Sequence, residues 1–182
     1  MMKNNEIKIL RLIITIIVTL GILLGGYNLY QEYMVKKPLA EKLLQVEAVN
    51  KVDIKKVNNI YTVQTHLDQV ENIQKIYTDL DAIVNDGIKG NYLLEIKDKR
   101  NRKLDKFFDD FQPALHQGLA QKEFLWLAQQ LEQQGQSQDI KVRLLVDNKR
   151  IYLQLEDGNS YLYSIIEHTA GAEQETGGGR DN

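Results

Sequence analysis

The chain has 182 residues, 26% of them charged and 43% apolar, with two prolines, no cysteine and a formal charge of −2. That composition accommodates one globular domain of ordinary size with an attached segment. It excludes a collagen-like, disulfide-stapled or wholly disordered chain, and the absence of cysteine excludes thiol catalysis.

Residues 1–11 hold Lys3, Lys8 and Arg11 against Glu6, a short basic tail of charge +2 that leaves −4 for the remainder. From Leu12 to Gln31 no residue is charged, and Leu12–Leu24 is almost wholly Ile, Leu, Val and Thr. At 1.5 Å per residue this stretch reaches about 30 Å, the thickness of the bilayer hydrocarbon core, so a single transmembrane helix is expected over 12–33. Tyr27, Tyr30 and Tyr33 follow at helical spacing, where aromatic rings favour the headgroup zone. Lys36 and Lys37 can extend their ammonium groups outward, which makes these five residues the expected interfacial anchors. An uncleaved signal-anchor is favoured over a cleaved signal peptide, because the glycines at 25 and 26 are a poor small-x-small site. Gly21 and Gly25 have GxxxG spacing, which lets two helices approach closely in lipid, and they are the candidate positions for helix association. Lys36, Lys37 and Lys42 nearly balance the N-terminal cations. The denser N-terminal charge and the free amine favour the N-terminus inside and the C-terminal domain outside a cell membrane.

Pro38 suits the first turn of a juxtamembrane helix over 34–50, with Leu39, Leu43 and Val46 as its stripe. Val52 and Ile54, then Tyr61, Val63 and Leu67, alternate on either side of a turn at Asn58-Asn59, predicting two antiparallel strands. Val70, Ile73, Ile76, Tyr77, Leu80, Ile83 and Val84 recur at helical steps. Asp68 is the expected N-cap and Gly87 the expected left-handed stop. A strand follows over Tyr92–Lys97.

Leu104, Phe107, Phe108 and Phe111 form an aromatic stripe that is expected to end near Pro113. A second helical stretch runs through Leu115, Leu119, Phe124, Leu127 and Leu131 to Gly135, with a bend at Gly118. Ile140–Val146, Ile151–Leu155 and Tyr161–Ile166 alternate around turns at Asp147–Lys149 and Asp157-Gly158, which predicts a three-stranded antiparallel meander. From Thr169 there is no apolar periodicity, and 169–182 is expected to be a disordered tail.

The resulting class is α+β: an αββαβ order, a helical pair and a C-terminal meander, with helices against one face of antiparallel sheet in a soluble domain over 51–168. The αββαβ run is similar in element order to small modules of membrane-anchored subunits in secretion and sporulation rings. Likeness of element order assigns no function.

No catalytic set, metal site or cofactor site is expected. There is no Gly-x-Ser-x-Gly elbow, and His66, His116 and His168 lack a ligand spacing. Asp79/Asp81, Asp109-Asp110 and Glu156-Asp157 read as solvated acids, since adjacent helical residues point apart. Phe107, Phe108, Phe111 and Trp126 could line a ligand pocket, although a helical aromatic stripe is more often core. The stretch 97–106 concentrates Lys97, Lys99, Arg100, Arg102, Lys103 and Lys106 against Asp98 and Asp105, and it is the candidate basic contact patch. A net acidic domain is not a general nucleic-acid binder. The expectation is a non-catalytic protein–protein interaction or assembly domain in a bacterial-type envelope, with an unidentified protein partner or a second copy of itself. The alternative is a membrane-anchored sensor or ligand-binding domain.

Overall fold

A computed structural model describes residues 4–168, and within the first helix the side chains of 11–23, 25 and 26. In chain order the elements are α1 (Asn4–Tyr30), a π-helical segment (Gln31–Lys36), α2 (Lys37–Leu43), β1 (Val49–Val57), β2 (Ile60–Leu67), α3 (Ile73–Gly87), β3 (Tyr92–Lys97), α4 (Arg102–Gln121), α5 (Phe124–Ser137), β4 (Lys141–Val146), β5 (Arg150–Asp157) and β6 (Ser160–Glu167). The described residues make an α+β fold of five α-helices and two three-stranded sheets. The tail at 169–182 lies outside the described residues.

The helix begins at Asn4, inside the stretch read as a tail, and runs without a gap to Leu43. The π-helical segment falls just before Pro38, which has no N–H to donate and whose ring crowds the carbonyl four residues back. Widening the coil there relieves both problems. The juxtamembrane helix ends at Leu43 rather than continuing to 50, because Val49 already opens β1.

The expected transmembrane helix is corrected in one respect. Among the described residues no helix is long and apolar enough to cross a membrane. The described side chains of α1 run unbroken only from Arg11 to Leu23, about 20 Å of rise against about 30 Å of hydrocarbon. All of them are exposed, so no other described residue covers Leu12, Ile16 or Ile22.

In the first sheet β1 pairs antiparallel with β2, and β2 pairs parallel with β3 across the α3 crossover. Asn58 and Asn59 both take positive φ, 48° and 64°, as a two-residue hairpin loop of the primed type requires. The start of α3 differs from expectation. Its N-cap is Asn72, whose side chain accepts from the Lys75 N–H at 3.2 Å, while Asp68 instead accepts from the Asn50 side chain at 2.9 Å. Val70 stays outside the helix because its N–H and carbonyl are engaged by Tyr163 and Gln154 of the second sheet. Gly87 is the last helical residue, and its φ is not left-handed. Its use is steric: a Cβ there would come within 2.9 Å of Leu39 Cδ1.

The expected break near Pro113 and bend at Gly118 are also corrected. Leu104, Phe107, Phe111 and Leu115 present one continuous buried face, and α4 passes through Pro113. The chain turns instead at Lys122, φ 56°, where the Glu123 N–H donates to the Gly118 carbonyl and the Lys122 N–H to Leu119, a Schellman closure. Gly118 and Gly135 permit close approach. A Cβ at Gly118 would lie 3.0 Å from Leu127 Cβ, and one at Gly135 2.6 Å from Val142 Cγ1.

The meander forms as expected, with β5 between β4 and β6. Its covering does not. Ile151 through Leu155 are all buried, because both faces of β5 are packed. Leu153, Leu155 and Leu162 join α4 and α5 in one core. Tyr152, Tyr161 and Tyr163 join α2, α3 and the inner face of the first sheet in the other. The second sheet is thus a middle layer, and among the described residues the first sheet has helices on one side only.

Candidate functional site

The basic stretch at 97–106 is a seam rather than a free patch. Asp98, its side chain 3% exposed, accepts from Arg100 Nε and Nη2 at 2.8 and 2.7 Å and from the Tyr163 N–H at 2.9 Å. The Lys99 carbonyl accepts from the Tyr161 N–H at 3.0 Å, so the exit of β3 is tied to the edge of β6. Asn101 caps α4 through the Leu104 N–H and donates to Asp157 at 2.7 Å. Lys103 pairs with Asp157 at 2.9 Å, and together with Asn101 it holds that carboxyl below the usual aspartate range. Lys97 pairs with Glu95 at 3.0 Å. Four of the six expected cations therefore serve intramolecular contacts, Lys99 through its backbone. Arg100 has a second carboxylate, Asp105, at 3.6 Å. Arg102 and Lys106 are exposed on α4.

The surface that the tertiary structure leaves open lies on the outer face of the first sheet. The strand register arranges it in rows. Lys51, His66 and Lys97 form one, Asp53, Gln64 and Glu95 the next, then Lys55, Thr62 and Leu93, and finally Val57 with Ile60 at the hairpin. None of these residues is buried. Lys51 reaches Asp53 at 2.7 Å, and Glu95 receives both Lys97 and the Gln64 amide. These contacts hold Asp53 and Glu95 below their ordinary pKa values, so both are fixed negative charges flanked by cations. Val57 is 62% exposed, Ile60 45% and Leu93 52%, which makes the hairpin end of the face apolar. On one side β1 has no strand neighbour among the described residues.

A second concavity, of about 560 Å³, opens between the 69–71 connection and the β4–β5 surface. At its base Gln154, only 3% exposed, donates to the Val70 carbonyl and to Glu156, both at 2.7 Å, and accepts from the Ile73 N–H at 3.3 Å. Arg143 donates to the Glu71 carbonyl at 2.6 Å across the mouth. The only mark of Gln154 in the sequence is its place inside the apolar run Ile151–Leu155, the sign of a buried polar hub.

The remaining expected sites fall as follows. A Cβ at Gly21 or Gly25 would meet nothing within 4 Å, so both sit on an open helix surface. Tyr33 is exposed with the Lys37 ammonium 4.1 Å from its ring centroid, and Lys36 pairs with Glu32 at 3.2 Å. The side chains of Tyr27 and Tyr30 lie outside the described residues. Phe107 and Phe111 are fully buried in the core, with Phe108 and Trp126 partly buried against it, so the aromatic stripe packs as core. Asp109 and Asp110 are exposed, whereas Asp81 is engaged by Arg150 and Tyr92. Among the described residues no three metal-ligating side chains converge.

No family model, curated protein or solved structure matches this chain.

Proposed function

We propose that this chain is a membrane-anchored, non-catalytic interaction domain that works by protein–protein contact in an envelope assembly, with its globular part outside. The observation that carries the reading is the outer face of the first sheet. It is a row-wise array of fixed charges beside the edge of β1, which has no strand neighbour among the described residues, a surface suited to a neighbour's strand or a complementary charged face. The anchor is supported by the uncharged stretch from Leu12 to Gln31 and by the outward apolar side chains of α1. Assembly through a second copy is one form of this reading, with Gly21 and Gly25 as the close-approach positions in the helix.

The test is site-specific photo-crosslinking in cells from Lys51 and Lys55 on the face, with Gln129 on α5 as the control. Discrete adducts from the face alone support the reading, and their absence sinks it. Protease digestion of intact and lysed cells carrying a C-terminal tag tests the orientation. Loss of the tag before lysis agrees with an outside domain, and protection until lysis refutes it.

The 560 Å³ cleft favours a second reading, a membrane-anchored ligand-binding or sensor domain with Gln154 at the base. Saturable thermal stabilisation of the chain by a small polar ligand, lost in Arg143→Ala, would favour it over the first.

A further inference from the structure

We infer that the β1–β2 hairpin tip is a second membrane contact, seated on an anionic phospholipid surface beside the point where the anchor helix leaves the bilayer. This inference rests on the membrane-anchor reading above. The uncharged stretch ends at Gln31, and Leu39 follows about 10 Å further along the unbroken helix. Leu39 lies against Gly87, the last residue of α3. The 88–91 connection then returns to the sheet, where the Asn91 carbonyl accepts from the Tyr61 N–H at 3.0 Å. Tyr61 follows Ile60, and Ile60 pairs with Val57. The hairpin tip, the 88–91 connection and the membrane end of α2 therefore lie at one end of the module. The nine residues of β1 span about 30 Å, enough to bring the chain back from the far end of α2 to that level.

The chemistry of this end suits a lipid surface. Val57 and Ile60 are cross-strand partners and Leu93 lies in the adjoining row, so the exposed apolar groups are contiguous rather than scattered. Lys55 shares the row of Leu93, and Lys89 is exposed in the adjoining 88–91 connection, while Lys56 lies over the Tyr61 ring on the other face. Neither 54–67 nor 87–94 contains an acidic residue, and the nearest acids on the face, Asp53 and Glu95 in the next row, are paired with Lys51 and Lys97. Asp86, the nearest acid before the second of these segments, is paired with Lys42 at 3.5 Å. Apolar side chains flanked by lysine match an anionic headgroup layer over acyl chains.

The absence of cysteine makes the test direct. Ile60→Cys, Leu125→Cys and Val18→Cys, each in the full chain, carry one environment-sensitive fluorophore. The chains are reconstituted in vesicles of phosphatidylcholine with phosphatidylglycerol or of phosphatidylcholine alone, with brominated acyl chains as quencher. The expected result is a blue-shifted, quenched Ile60 probe in the anionic vesicles and weaker quenching without phosphatidylglycerol. The probe at Leu125, a site 76% exposed on α5, stays in water in both. Lys55→Gln and Lys89→Gln together should abolish the lipid dependence. A quenched Val18 probe with Ile60 as wet as Leu125 would overturn the tip contact and leave the anchor standing. Equal Ile60 quenching in both vesicles would overturn the anionic surface. An unquenched Val18 probe would overturn the anchor, and this inference with it.

Discussion

Arg150, at the start of β5, reaches the carboxylate of Asp81 on α3 at 2.9 Å, with the two side chains only 18% and 22% exposed. The same guanidinium lies 5.0 Å from the Tyr77 ring centroid, and the Tyr92 hydroxyl donates to Asp81 at 2.8 Å. One cation thus ties the second sheet to the helix layer of the first module. Apolar contact supplies area, but this pair selects the orientation in which α3 docks.

Removing one partner strands the other in a largely dry site. Arg150→Ala should therefore cost about 3 kcal/mol in chemical denaturation, and Asp81→Asn less, since the amide can still accept from Tyr92. Tyr92→Phe should cost about 1 kcal/mol for the lost hydrogen bond. A loss below about 0.5 kcal/mol for Arg150→Ala would put the pair among surface ion pairs and contradict its role in docking.

Stability should also fall in alkali. Burial, reinforced at Tyr92 by the Asp81 carboxylate, pushes the phenols of Tyr77 and Tyr92 up to about 12 from an ordinary 10. The folded state keeps protons that the unfolded chain has lost, so stability is full below pH 10 and declines as pH rises toward 12. Tyrosinate absorbance followed against pH should show one late-titrating phenol fewer in Tyr92→Phe than in the wild type.

The acid limb has the opposite sign. Despite some desolvation, Asp147 is held below its ordinary 3.8 by the N–H groups of Lys149 and Arg150 and by the Tyr152 hydroxyl. Its contribution is present above that value and lost as pH falls through the lowered one. Thermal unfolding measured from pH 6 downward should show a shallower acid decline in Asp147→Asn, and an unchanged decline would exclude this carboxylate as its source.

Two backbone positions should respond in opposite directions. At Gly135 a methyl would strike Val142 and the Ile140 carbonyl, so Gly135→Ala should destabilise by about 1–3 kcal/mol. Lys122 holds a left-handed conformation that glycine adopts freely, so Lys122→Gly should stabilise by about 0.5–1 kcal/mol. Urea midpoints for the two variants check both signs.

Gln154→Ala should cost about 1–3 kcal/mol, because it leaves the Val70 carbonyl and the Ile73 N–H without their partner. Hydrogen exchange should speed up first at Ile73, the opening residue of α3. Protection unchanged there would mean that the cap at Asn72 alone holds the helix start.

Elements with local causes were legible in the amino-acid order. The Asn58-Asn59 turn, the apolar face of α3 and the meander each follow from neighbours within a few residues, through hairpin φ angles and side-chain periodicity. The basic stretch at 97–106 was legible as composition but not as a site, because Lys103 finds Asp157 and Asp98 finds Tyr163 far along the chain. Only a local role of Gly87, a conformational stop, can be read from sequence, while the Leu39 side chain it accommodates comes from another helix.

By itself the sequence determined the strands and helices of the globular part, the uncharged N-terminal stretch and the absence of thiol chemistry. The tertiary structure alone decided that α4 passes through Pro113, that β5 is covered on both faces, and that the first sheet keeps one face open. Periodicity is set by bonds between near neighbours, whereas burial and charge neutralisation depend on distance in space. Alternation in β1 and β2 separates two faces of a sheet, and only the docking of α2 and α3 determines which one stays in contact with the surroundings.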